Sequence, residues 1–119
     1  GIDRSPLILI GSTAAYPGRH NYRSPLYSIA KSIIPTLVRI LATELAIYNR
    51  RCIGVTFDVV DGGMNASMSR IAELAHADRM PFGHIPNPEE AAKQILWVLE
   101  NPGLLASGVL IDLSGGAIP

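Results

Sequence analysis

Three apolar runs and two helical stripes divide the chain. Pro6-Leu7-Ile8-Leu9-Ile10-Gly11 is unbroken in its apolar character and rich in β-branched residues. A strand covered on both faces reads this way, which predicts a central parallel strand. The segment from 13 to 22 holds Pro17, Gly18, His20 and Asn21 and is predicted as a loop. A long helix is expected from 24 to 48, opened by Ser24-Pro25 with proline in the first helical position. Its interior carries Ile29, Ile33, Ile34, Leu37, Val38, Ile40, Leu41, Leu45 and Ile47. A stripe that wide exceeds one contact. A helix apolar nearly all round is buried on more than one side. It should cover a sheet on one face and meet another helix on the other, which predicts a homo-oligomer formed through helix 24–48. Pro35 removes the amide that would bond the Lys31 carbonyl, so a bend is expected there.

A second strand is predicted from 51 to 60, closed by Asp61-Gly62-Gly63. Residues 64–77 read as a short helix with a flexible loop. Asn87-Pro88-Glu89-Glu90 is a strong helix start: Asn87 can cap, Pro88 suits the first position and Glu90 completes a capping box. That helix stops at Asn101-Pro102-Gly103. A third strand from 108 to 113 ends in Ser114-Gly115-Gly116. Apolar strands alternating with helices mean a parallel α/β sheet.

Composition narrows the function classes. The 119 residues suit one domain, and 10 basic residues balance 10 acidic ones. Nothing in that balance points to nucleic acid, which would want basic residues interleaved with aromatics. No apolar run approaches the ~20 residues of a membrane span, and the N-terminus shows no signal-peptide pattern. A cytoplasmic protein is the expectation. The single Cys52 excludes an intrachain disulfide and a cysteine-based zinc site; at the head of the second strand it reads as a small buried residue. His20, His76 and His84 lack metal-ligand spacing, and no metal is expected. The chain opens on Gly1 and enters an apolar strand within six residues, which looks like the middle of a domain.

The candidate chemistry lies in Tyr27-Ser28-Ile29-Ala30-Lys31, at the start of the long helix. Residues four apart share one helix face. The Tyr27 phenol and the Lys31 ammonium therefore reach one small volume. A free tyrosine titrates near pH ~10, and a neighbouring cation favours its phenolate. Such a pair can give or take a proton near neutral pH. Ser12, at the end of the first strand, can aim a hydroxyl at the same oxygen.

The order of these features resembles the short-chain dehydrogenase/reductase family. Ser12 and Tyr27-x-x-x-Lys31 resemble the family's serine and Tyr-x-x-x-Lys motif. Ala42-Thr43-Glu44-Leu45 resembles its Ala-x-Glu-Leu. Asp58-Val59-Val60-Asp61-Gly62-Gly63 sits where the family has Asn-x-x-x-Pro-Gly, and Ser67 where it usually has threonine. Asn87-Pro88-Glu89-Glu90-Ala91-Ala92 resembles its Pro-Glu-Glu-x-Ala helix start, and 108–116 its closing strand, with Ser114 in place of an aspartate. The spacing from Ser12 to Tyr27 is longer than the family's usual one, and Gly62 replaces a proline.

The resemblance spans residues 1–119 and implies the C-terminal half of a Rossmann-like, doubly wound parallel sheet: three parallel strands, a long helix, a short helix and a capped helix. The glycine-rich nucleotide-binding half of the family is not in this sequence. What is implied is an NAD- or NADP-dependent oxidoreductase acting on a small carbonyl or alcohol. Tyr27 would be the acid/base. Lys31 would hold Tyr27 acidic and bind the nicotinamide ribose, and Ser12 would polarise the substrate oxygen. Gly63, Met64 and Ser67 would meet the nicotinamide, Met64 through its backbone and Ser67 through its hydroxyl. Tyr16, His20 and Tyr22 are candidates to line the substrate pocket. Asp58 and Asp61 are expected as strand-end and turn residues in water. By itself the chain is expected to be inactive, and insoluble, molten or dimeric. The alternative is a non-catalytic member of the same fold, serving as an assembly or interaction module.

Overall fold

A computed structural model describes residues 5–16, 25–61, 81–101 and 105–117. Among them the order is β1 (Leu7–Ser12), a 3-10 turn (Thr13–Ala15), α1 (Pro25–Ala46), β2 (Cys52–Phe57), α2 (Pro88–Leu99) and β3 (Val109–Asp112). The strands form one sheet in the order β1-β2-β3, with both pairings parallel. Leu7 faces Cys52 and Ser12 faces Phe57 across the first pair; Ile53 faces Val109 and Thr56 faces Asp112 across the second. This is the parallel α/β sheet the alternation of elements predicts, in the doubly wound arrangement the family resemblance implies.

β2 lies at the centre and is buried along its whole length. Its side chains alternate between the two faces. Cys52, Gly54 and Thr56 face α1. Val38, the buried residue of α1, closes on Gly54: a methyl added there would lie 3.0 Å from Val38 Cγ2 and 2.9 Å from Leu110 Cγ. Glycine is what lets the helix approach the sheet. On the other face Ile53, Val55 and Phe57 form the core with Ala91 and Val98 of α2, joined by Ile8, Ile95, Ile111 and Leu113.

The helix ends follow local chemistry. α1 starts on Pro25 and runs through Pro35 as one element. It stops because Asn49 takes a left-handed φ of 57°. The Asn49 N–H donates to the Ala46 carbonyl and the Arg50 N–H to that of Leu45, a Schellman closure. α2 carries the expected capping box: Asn87 Oδ1 accepts from the Glu90 N–H, and Glu90 accepts from the Asn87 N–H. β2 and β3 are shorter than the runs that predict them. β2 stops at Phe57, opposite the last residue of β1, and the Asp58 carboxylate that follows accepts from Thr13 Oγ1 at 2.6 Å. The expected short helix at 64–77 lies outside the described residues.

One expectation about α1 is met on one face only. Leu26, Ile29, Ile33 and Ile40 stand 75, 63, 58 and 53% exposed. Cys52, by contrast, is fully buried, and burial pushes its thiol pKa up, as suits an inert core residue.

Candidate active site

The C-terminal tips of parallel strands are where such sheets place ligands. At the tip of β1 the apolar run closes on Ser12, which is buried. Its Oγ accepts from the Ala14 N–H at 3.1 Å and caps the 3-10 turn. A hydroxyl that accepts in this way keeps its own hydrogen for donation. Beside it, the Thr13 hydroxyl donates to Asp58 Oδ1 at the tip of β2. That link ties two neighbouring strand tips together.

α1 packs against β1, β2 and the turn that Ser12 caps. Tyr27 and Lys31 lie in its first two turns, both half-buried. The Lys31 ammonium sits over the Tyr27 ring, 5.8 Å from its centroid. That is within the range of a cation–π contact. The two side chains therefore point the same way, as their four-residue spacing allows. The contact is with the ring face, a detail the spacing does not specify.

Gly63, Met64 and Ser67 lie outside the described residues, as do His20 and Tyr22. Tyr16 ends the 3-10 turn, where its N–H donates to the Thr13 carbonyl. Asp61 is exposed, in keeping with a turn residue, and its N–H donates to the Pro86 carbonyl at 2.8 Å. Asp58 corrects the expectation of a carboxylate in water: it is half-buried and engaged by Thr13. Nothing in the sequence pairs residues 45 apart, so that link was not readable. His84 is exposed, and its Nε2 is 2.7 Å from Glu90 Oε2. The contact with His84, and then the bond from the Asn87 backbone, hold the Glu90 carboxyl below its usual range.

At the tip of β3, Ser114 is fully buried. Its hydroxyl and its N–H both donate to Asp112 Oδ1, and its Oγ accepts from the Ala117 N–H. The serine that stands where an aspartate is usual thus borrows the carboxylate two residues before it. Among the described residues no group of three or more His, Cys, Asp or Glu could hold a metal, and no helix is long and apolar enough to cross a membrane.

A family model described as enoyl-(acyl carrier protein) reductase matches residues 3–117. The chain is 30% identical over 125 residues to the cis-2,3-dihydrobiphenyl-2,3-diol dehydrogenase of Metapseudomonas furukawaii, covering 92% of this chain and 42% of that protein. It is 30% identical over 106 residues to carbonyl reductase family member 4 of Danio rerio, covering 89% and 43%. Among solved structures, the RhlG/NADP active-site complex of Pseudomonas aeruginosa superposes with a TM-score of 0.81 at 22% identity, covering 98% of this chain and 46% of that one. The chain belongs to the short-chain dehydrogenase/reductase family, an oxidoreductase family with a Rossmann-type fold. It spans less than half the length of the curated relatives it matches.

Proposed function

We propose that this chain is the catalytic half of an NAD- or NADP-dependent short-chain dehydrogenase/reductase that interconverts a small carbonyl compound and its alcohol. The observation that carries the reading is the Lys31 ammonium over the Tyr27 ring, on a helix packed against the turn that Ser12 caps. A general acid/base, a cation to support it and a hydroxyl donor suit proton transfer to a carbonyl oxygen. Ser12 stands at the tip of β1, and α1, which carries Tyr27 and Lys31, packs against the turn that Ser12 caps; these donors suit a nicotinamide site in which a cofactor supplies the redox step.

In this mechanism Ser12 donates its hydroxyl hydrogen to the substrate oxygen and polarises the carbonyl. Tyr27 passes its proton to that oxygen in reduction and takes it back in oxidation. Lys31 steadies the negative charge on the Tyr27 oxygen while the proton is away, and it would hydrogen-bond the ribose of a bound nicotinamide. Gly63, Met64 and Ser67 would hold the nicotinamide when it is bound. A bound nicotinamide supplies the hydride chemistry, which no side chain provides. The 119 residues do not turn over alone, because the adenosine end of the cofactor needs a nucleotide-binding half. A second copy of the chain packs on the outer face of α1.

The test is NADH or NADPH consumption with a panel of ketones and aldehydes, in a protein that joins this chain to its nucleotide-binding half. Tyr27→Phe is expected to lower kcat by about two to four orders of magnitude while nicotinamide binding persists. Activity unchanged in Tyr27→Phe would sink the reading.

A further inference from the structure

A cavity of about 390 Å³ lies on the α2 side of the sheet, across the strands from α1. Its apolar lining comes from Phe57 at the end of β2, Leu113 just after β3 and Ala91 in α2. Phe82 also lines it and is 78% exposed, an aromatic face held at the edge of the opening. The polar lining is gathered in one place. Glu90 and Gln94 are one turn apart on α2 and share a face, and His84 is bonded to Glu90. A mainly apolar concavity with a few convergent polar groups at strand tips is how small-molecule sites are built, and this volume is near the lower end of their range.

The charges choose among ligands. An anion would meet the Glu90 carboxylate. A cation would compete with His84 for that carboxylate and would face the positive end of α2. A neutral group avoids both costs and can still bond the Gln94 amide or the imidazole. Phe57 and Phe82 give the lining its aromatic rings, against which an aromatic ligand packs well.

We propose that this cavity binds a small, neutral aromatic molecule, of one or two rings, through a single hydrogen-bonding edge. The site is separate from the Tyr27–Lys31 pair and stands whether or not that pair is catalytic.

The test uses 4-ethylphenol on the purified protein, followed by backbone amide shifts in NMR. Two charged analogues, 4-ethylbenzoate and 4-ethylbenzylammonium, are titrated alongside. Saturable binding at millimolar concentration is expected, with the largest shifts at Phe57, Phe82, Ala91 and Leu113, and with the phenol binding tightest. Phe82→Ser sits on the surface and leaves the core intact; it should weaken binding about five-fold. Gln94→Ala should weaken it as well, and Ile40→Ser on the far face should not. Shifts that map to α1, a charged analogue that binds tighter, indifference to both Phe82→Ser and Gln94→Ala, or no saturation would each overturn the proposal.

Discussion

At the scale of single residues, the bond from Thr13 to Asp58 ties the tips of β1 and β2 together beside Ser12. Its length of 2.6 Å and half-buried setting make it a strong side-chain pair. Thr13→Val removes the donor and keeps the shape, so it is expected to cost about 1–3 kcal/mol. Thr13→Ser, which restores the donor, should recover most of the loss in a urea denaturation midpoint. Glu90 gives a second residue-scale expectation, in acid. Its pKa is lowered in the folded chain, first by His84 and then by the Asn87 backbone. A carboxylate depressed in this way stabilises the fold at pH above the unfolded glutamate value of about 4.3, and that contribution disappears as the pH falls through the lowered folded value. Glu90→Gln can still accept from the Asn87 N–H but does not titrate. The wild-type midpoint should therefore fall more steeply than that of Glu90→Gln between neutral pH and about 3. Parallel acid profiles would show that Glu90 contributes nothing through its charge.

Among elements, the contact that orders the fold is α1 on β2, and it turns on one missing side chain. A Cβ at Gly54 would meet Leu110 Cγ at 2.9 Å and the stiff Val38 Cγ2 at 3.0 Å. Neither atom is the loose end of a long chain, so the helix or β3 must move. Gly54→Ala is expected to destabilise by about 1–3 kcal/mol through overpacking, read by thermal or chemical denaturation. The close approach was not legible in the sequence, where Gly54 is one residue inside a strand. What was legible is what depends on near neighbours. The α2 capping box lies within Asn87–Glu90, and the Tyr27–Lys31 pair within one helical turn. The parallel sheet followed from apolar runs too long to leave a face to water. The Thr13–Asp58 bond and the cavity beside Phe82 were not legible. Each needs a side-chain direction or a contact between distant segments, and period and spacing carry neither.

For the molecule as a whole, the physical tension lies in apolar surface that the described residues leave open. Leu26, Ile33 and Ile40 recur every seven residues along the outer side of α1, with Ile29 between the first two, and all are more than half exposed. A seven-residue apolar repeat is a seam that a second helix fills at a shallow crossing angle. β1 adds to the imbalance. Its apolar sequence reads as an interior strand, yet β2 is its one paired neighbour among the described residues, and Ile10 stands 44% exposed. Open strand edges and contiguous apolar faces drive association. The chain should therefore sediment as a dimer or larger species rather than as a monomer. The two surfaces can be separated by charge. Ile33→Glu with Ile40→Glu puts carboxylates into the α1 seam, at positions the core does not use. If α1 carries the self-association, that double variant should shift to monomer in analytical ultracentrifugation with its far-UV circular dichroism unchanged. If the variant stays associated, the strand edge holds the copies together, and the homo-oligomer through helix 24–48 is wrong.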